Sequence, residues 1–254
     1  MTTKRDPQAI KLEVVQAYTN VARNAASCCG PKASPSAERY AKQEIESLPE
    51  STVNAMAGCG TPVDVADLQP GETVLDLGSG GGADVFLAAA KVGPHGKIIG
   101  VDMTPDMVQL ARTNAKKIGA ENVQFRLAEI EALPIPTDSV DAIVSNCVIN
   151  LVPDKLAALR EAWRVLRPGG RVVLSDVVRV GPLSDDITGD GKAWATCVAG
   201  AVTLDEYRFL LEASGFNRIQ VQGGRPSEDA EGWRKSIANA VISARKPAMG
   251  RCCG

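Results

Sequence analysis

Seven cysteines, at positions 28, 29, 59, 147, 197, 252 and 253, are the residues of this chain best suited to unusual chemistry. Their number is odd and the first residues lack the apolar core of a signal peptide, so a secreted disulfide framework is not expected. No spacing is C-x-x-C and His95 is the sole histidine, which leaves a standard zinc site short of ligands. Thiolate chemistry with a metal, a metalloid or a redox partner fits better. Singly, Cys147 after the apolar run VDAIVSN and Cys197 within WATCVAGAV could each be a small core residue. The second candidate is the loop LDLGSGGGAD at 75–84. Its glycines let the backbone turn tightly against a ligand, and the helix it opens offers free N–H groups. Asp102, ending the next apolar run, can accept hydrogen bonds from ribose hydroxyls.

The elements that must position these residues follow from hydrophobic periodicity. TVLDL, KIIGVD, NVQFRLA, VDAIVSN and RVVLSDVV read as buried strands. They alternate with helical stretches at 84–92, 105–119 and 154–166. In the last, Leu156, Leu159, Trp163 and Leu166 recur every three or four residues, as on an amphipathic helix. Such alternation predicts an α/β fold with a mostly parallel, twisted sheet covered by helices on both faces. Thr104 before Pro105 is placed to start a helix, and so is Asp154. Residues 1–70 carry helical patches at 7–22 and 37–48, between loops that hold Cys28, Cys29 and Cys59. Residues 71–178 form the core, and 179–254 add a smaller α+β extension with further helices, strands at 218–222 and 241–246, and a cysteine-bearing tail.

Gly78-x-Gly80-x-x-Ala83 satisfies the dinucleotide fingerprint as well. Asp76, two positions before the first glycine, separates the readings: an acid there suits a cationic amine and repels a pyrophosphate. The D-x-G-x-G-x-G string resembles motif I of class I S-adenosylmethionine (SAM) methyltransferases, and RVLRPGGRVVLSD (164–176) and AEIEALP (128–134) are similar to later motifs of that Rossmann-like family. The resemblance implies SAM as cofactor, bound by Asp76, Gly78, Ser79, Gly80, Asp102 and Asn146. It places Glu129 at the adenine amino group, with Met103 and Ile130 flanking the ring.

GCGTPV (58–63), GVDMTPDM (100–107), SNCVINLVPDK (145–155) and CVAGA (197–201), in that order, resemble the arsenite SAM methyltransferases more narrowly. This implies that Cys147 and Cys197 ligate trivalent arsenic, with Cys59 as third thiol or redox partner, and that Cys28 or Cys29 acts with Cys59 in reduction. It also implies arsenite or its thiol conjugates as substrate, in arsenic detoxification, with thioredoxin or glutathione as reductant. The chemistry is sound: As(III) is thiophilic, and its lone pair needs no general base to attack an activated methyl group. Cys252 and Cys253 have no matched role. Two alternatives stay open, a methyltransferase for a small quinone-like or sterol-like organic acceptor and a thiophilic-metal-binding protein without turnover.

A net charge of −2 without a basic stripe predicts no nucleic-acid partner. No apolar run reaches the roughly 18 residues of a membrane span. A cytoplasmic monomer without a standard metal cofactor is the expectation.

Overall fold

The computed structural model describes residues 5–26 and 34–248. Cys28, Cys29, Cys252 and Cys253, and the roles expected of them, lie outside the described residues.

Seven strands form one sheet: β1 (Thr73–Leu77), β2 (Lys97–Asp102), β3 (Val123–Leu127), β4 (Val140–Asn146), β5 (Leu166–Arg179), β6 (Asn217–Gly223) and β7 (Ile237–Arg245), in the order β3-β2-β1-β4-β5-β7-β6. The first five run parallel, and β7 pairs antiparallel with both β5 and β6. The C-terminal strands thus extend the sheet of the core instead of standing apart from it. Both faces are buried, as the near-continuous apolar runs require. Leu75, Leu77, Ile143 and Leu174 pack toward the helices Lys155–Val165 and Leu204–Ala213. Val74, Ala142, Val144 and Val173 pack toward Ala83–Val92 and Pro105–Ile118.

The helix ends follow local chemistry. Pro105 occupies the first turn, and Gly119 (φ 64°) closes the last in the left-handed region that glycine adopts without cost. Asp154 caps its helix by accepting from the Ala157 N–H at 2.9 Å. One expected helix breaks: 37–48 divides into a 3₁₀ turn, Pro35–Arg39, and a short helix, Lys42–Glu46. The break lets Tyr40 turn inward, where its hydroxyl donates to Asp84 at 3.0 Å.

The chain leaves β1 toward β2 and β3, then crosses to β4 on its other side. That reversal opens a crevice at the carboxyl ends of the strands, where α/β sheets hold ligands. The N-terminal helix Pro7–Ala26 lies over it. Among the described residues no helix is long and apolar enough to cross a membrane.

Candidate active site

The crevice encloses about 970 Å³ including its mouth. Asp76, Gly78, Ser79 and Gly80 form its floor, Asp102, Met103 and Ile130 one side, and Asn146 and Cys147 another. Gly78 takes φ 69°, and a Cβ there would meet Val148 at 2.4 Å, so the turn after β1 tolerates no side chain. The Asp102 carboxylate accepts from the N–H groups of Gly80 (2.9 Å) and Thr104 (2.8 Å), tying the glycine loop to the end of β2. Asp76 is buried, and burial, then Asp84 and Asp102, push its carboxyl well above the usual range. An ammonium group in the crevice would reverse that. The buried Ser79 Oγ has no hydrogen-bond partner and lies over Gly100 of β2, where a Cβ would meet it at 2.7 Å.

Glu129 stands at the outer rim of the crevice, beside Met103 and Ala128. Its half-exposed carboxylate pairs with Lys11 of the N-terminal helix, which also holds Glu131 at 2.8 Å. Ala128, Ile130 and Glu131 line the adjoining wall. The N-terminal helix supplies Lys11, Val14 and Tyr18 to the lining, a contribution that motif reading missed. Asp84 and Tyr40 were missed as well.

Cys59, Cys147 and Cys197 are buried, free and packed in one apolar cluster with Ile10, Val14 and Leu151. Only Cys147 reaches the crevice wall; the other two stand behind it. The Cys147 N–H donates to Ser175 O at 2.7 Å, holding the turn after β4 against β5. The Cys197 thiol donates to Cys147 O at 2.8 Å, and Cys59 Sγ lies 3.9 Å from Ser175 Oγ. Cys147 (φ 63°) and Cys197 (φ 65°) both hold left-handed backbone, which costs a side-chain-bearing residue about 1–2 kcal/mol. Hydrogen bonding to Cys147, then burial, raises the Cys59 thiol well above its ordinary pKa. The Cys147 thiol is raised by its bond with Cys197 and by burial, against a lowering bond with Cys59. At Cys197 the bond with Cys147 pulls down, but burial and nearby Asp176 outweigh it. All three are therefore protonated thiols near neutrality. Among the described residues no three His, Cys, Asp or Glu side chains converge as a ready-made ion cage, so a thiophilic ion would have to draw the sulfurs together.

Behind the thiols lies a polar group whose partners the motifs did not reveal. Asp176 on β5 is fully buried, accepts from Tyr207 O–H at 2.8 Å, and leaves Oδ1 without a partner. Burial raises it to about 7, against the pull of Tyr207 and Lys155. Lys155, lowered by its own burial to about 8, donates to the carbonyls of Val152 (2.9 Å) and Asn150 (3.3 Å).

Sheet order, glycine loop and acidic crevice define a class I methyltransferase domain, and residues 68–215 match a family model described as a methyltransferase domain. The chain is 41% identical to an arsenite methyltransferase of Halobacterium salinarum over 98% of its own length and 69% of that protein. It is 34% identical to an arsenite methyltransferase of Mus musculus, over 85% of this chain and 60% of the mouse one. The crystal structure of an arsenic (III) S-adenosylmethionine methyltransferase from Chlamydomonas reinhardtii superposes with a TM-score of 0.65 at 32% identity, covering 85% of this chain and 73% of that one. The chain belongs to the arsenite methyltransferase family.

Proposed function

We propose that the protein methylates trivalent arsenic from SAM, with Cys147, Cys197 and Cys59 holding the arsenic. The observation that carries this reading is the burial of three thiols in one cluster, with Cys147 forming part of the wall of the cofactor crevice.

The crevice residues fit SAM. Asp76 offers a buried, unpaired carboxyl to an ammonium, Asp102 has a free lone pair on each oxygen for ribose hydroxyls, and Met103 and Ile130 offer apolar surface to a base. SAM supplies a methyl group on a sulfonium, an activated electrophile that leaves a neutral thioether. The protein's work is then orientation and exclusion of water. Loading balances without an external base: arsenite carries three hydroxyls, each protonated by an incoming thiol and released as water as an As–S bond forms. The thiols' raised pKa values agree with this, since each keeps its proton until the exchange. The arsenic lone pair then forms the As–C bond as the C–S bond of the donor breaks. Arsenic is formally oxidised by two electrons, and a thiol pair returns them by closing to a disulfide, which thioredoxin or glutathione reopens.

The test is incubation of the purified protein with arsenite, SAM and a thiol reductant, followed by chromatography with elemental detection. Methylated arsenic from wild type, lost in Cys147→Ser and Cys197→Ser, is the expected result. Cofactor binding without methylated arsenic would point to an organic acceptor, and arsenic binding without turnover to a sequestering protein.

A further inference from the structure

Asn146 is the last residue of β4 and stands between the cofactor crevice and the loop that carries Cys59. Its carboxamide is fully engaged. Oδ1 accepts from the backbone N–H groups of Cys59 (2.9 Å) and Gly60 (3.2 Å). The two hydrogens of Nδ2 are shared among three acceptors in reach: Gly60 O (2.7 Å), the Tyr40 hydroxyl (2.8 Å) and Asp84 Oδ2 (3.0 Å). The orientation of the amide is fixed by its partners, because two N–H donors demand the oxygen on one side and a carbonyl and a carboxylate demand the nitrogen on the other. The next residue in the chain is Cys147.

The Cys59 loop is shaped to meet this carboxamide. A Cβ on Gly58 would lie 2.4 Å from Asn146 Nδ2, and one on Gly60 would lie 2.2 Å from Ser175 Oγ. The glycines on either side of Cys59 therefore let the loop press down on Asn146 and Ser175. Apart from those backbone contacts, Cys59 meets the sheet only through its sulfur, which hydrogen-bonds to the Cys147 thiol and makes a long contact with Ser175 Oγ. Asp84 and Tyr40, on the far side of the amide, line the crevice.

We infer that Asn146 is a positioning residue for arsenic: its carboxamide latches the Gly58–Cys59–Gly60 loop so that the third thiol stays beside Cys147. The inference deepens the arsenic reading and rests on it for the identity of the ion. It divides the three thiols into two classes. The backbones of Cys147 and Cys197 are held by their own turns and by each other, whereas the backbone of the Cys59 loop is held by a side chain of the cofactor crevice. Cofactor site and third ligand thus share one residue.

Two variants approach the latch from opposite sides. Asn146→Ala removes the carboxamide, and Gly58→Ala leaves it in place but pushes the loop off it. X-ray absorption of the arsenite-loaded proteins counts the sulfurs on arsenic. Wild type should show a three-sulfur shell, and both variants a shell of two sulfurs and one oxygen. In the arsenic-free proteins, mass spectrometry follows alkylation of each cysteine. Cys59 should react about tenfold faster or more in both variants, its loop freed of hydrogen bonds, with Cys197 unchanged. In a Cys59→Ser background, Asn146→Ala should weaken arsenite binding no further. A three-sulfur shell retained in both variants, or a loss that adds fully to that of Cys59→Ser, would overturn the inference. Wild type that binds no arsenic sinks the arsenic reading instead, and Cys59 alkylation still reports on the latch.

Discussion

The Cys197 thiol donates to the main-chain carbonyl of Cys147 at 2.8 Å, and both residues hold left-handed backbone. Residues fifty apart in sequence, each in a conformation that side chains disfavour, brace one another at the end of the sheet. Strain of this kind persists only where surrounding structure over-determines it, and it concentrates at functional sites. Neither turn uses glycine, which would adopt φ near 63° freely. What glycine lacks is the sulfur.

Replacing Cys147 by glycine should therefore leave a folded protein without its function. Relief of the left-handed backbone returns up to about 1 kcal/mol, close to offsetting the small cavity left behind. Cys147→Val places a β-branched residue at the same φ and should lose about 2 kcal/mol or more. Denaturant melts without arsenic should rank Cys147→Gly near wild type and above Cys147→Val. Arsenite affinity should fall about 100-fold or more in both. A glycine variant as unstable as the valine one would show that the turn carries no strain.

The thiol pKa shifts set an alkaline limit. An unfolded cysteine ionises near pH 8.5, and all three buried thiols are raised above the ordinary value. The folded state thus keeps protons that the unfolded state has lost. Stability is fully present below about pH 8.5 and falls as pH rises toward the folded pKa values. Urea melts at pH 7, 9 and 10 should show this loss, reduced in Cys59→Ala. A decline of equal steepness in that variant would place its source elsewhere.

Asp176 has the same sign in an acidic window. Its folded value of about 7 stands above the ordinary aspartate value near 3.9. The folded state binds the extra proton, so stability falls as pH rises from about 4 to about 7. The groups acting on the carboxyl are Tyr207, the Ile149 N–H and Lys155; the lysine titrates at about 8, outside that window. Asp176→Asn keeps an acceptor for the Tyr207 hydroxyl and removes the titration. The variant should gain on wild type between about pH 4 and about pH 7 in equilibrium unfolding. A constant difference between the two proteins across that range would count against a buried, raised carboxyl.

Most of the scaffold could be read from residue patterns, because β1, β2 and β4 are short apolar runs with a glycine or a helix nearby, and runs of that kind have few other uses. The reading of 37–48 as helix failed at Tyr40 and Ala41: local propensity was adequate, but the tyrosine is wanted by Asp84, a residue from another element. The partner of Glu129 was hidden for the same reason, since nothing near it in sequence announces Lys11, 118 positions earlier. Asp176 and Tyr207 form their pair across 31 positions with no motif to mark it. The glycine loop and Asp76 were legible because their chemistry is local to a turn. That the three cysteines would matter together came from likeness to a family; their left-handed backbones and shared cluster are properties of the folded chain alone.

Lys11 makes the role of the N-terminal helix measurable. Its ammonium bridges Glu129 and Glu131 on the opposite rim of the crevice, while Ile10 and Val14, on the same helix, are buried against the thiol cluster. Hydrogen bonds and charge from the two carboxylates, against desolvation, raise its pKa, so the bridge is intact at any pH near neutrality. Partly exposed ion pairs contribute about 0.2–1 kcal/mol each, so Lys11→Met, which keeps the apolar stem and loses two of them, should weaken SAM binding by about 2- to 30-fold. Turnover at saturating SAM should barely change, because the helix forms a wall and touches no reacting atom in this reading. Calorimetric titration of SAM at low and high salt separates the contributions: wild-type affinity should fall toward that of Lys11→Met as salt screens the bridge. If the variant binds as tightly as wild type at low salt, the apolar contacts of Ile10 and Val14 alone hold the helix over the crevice.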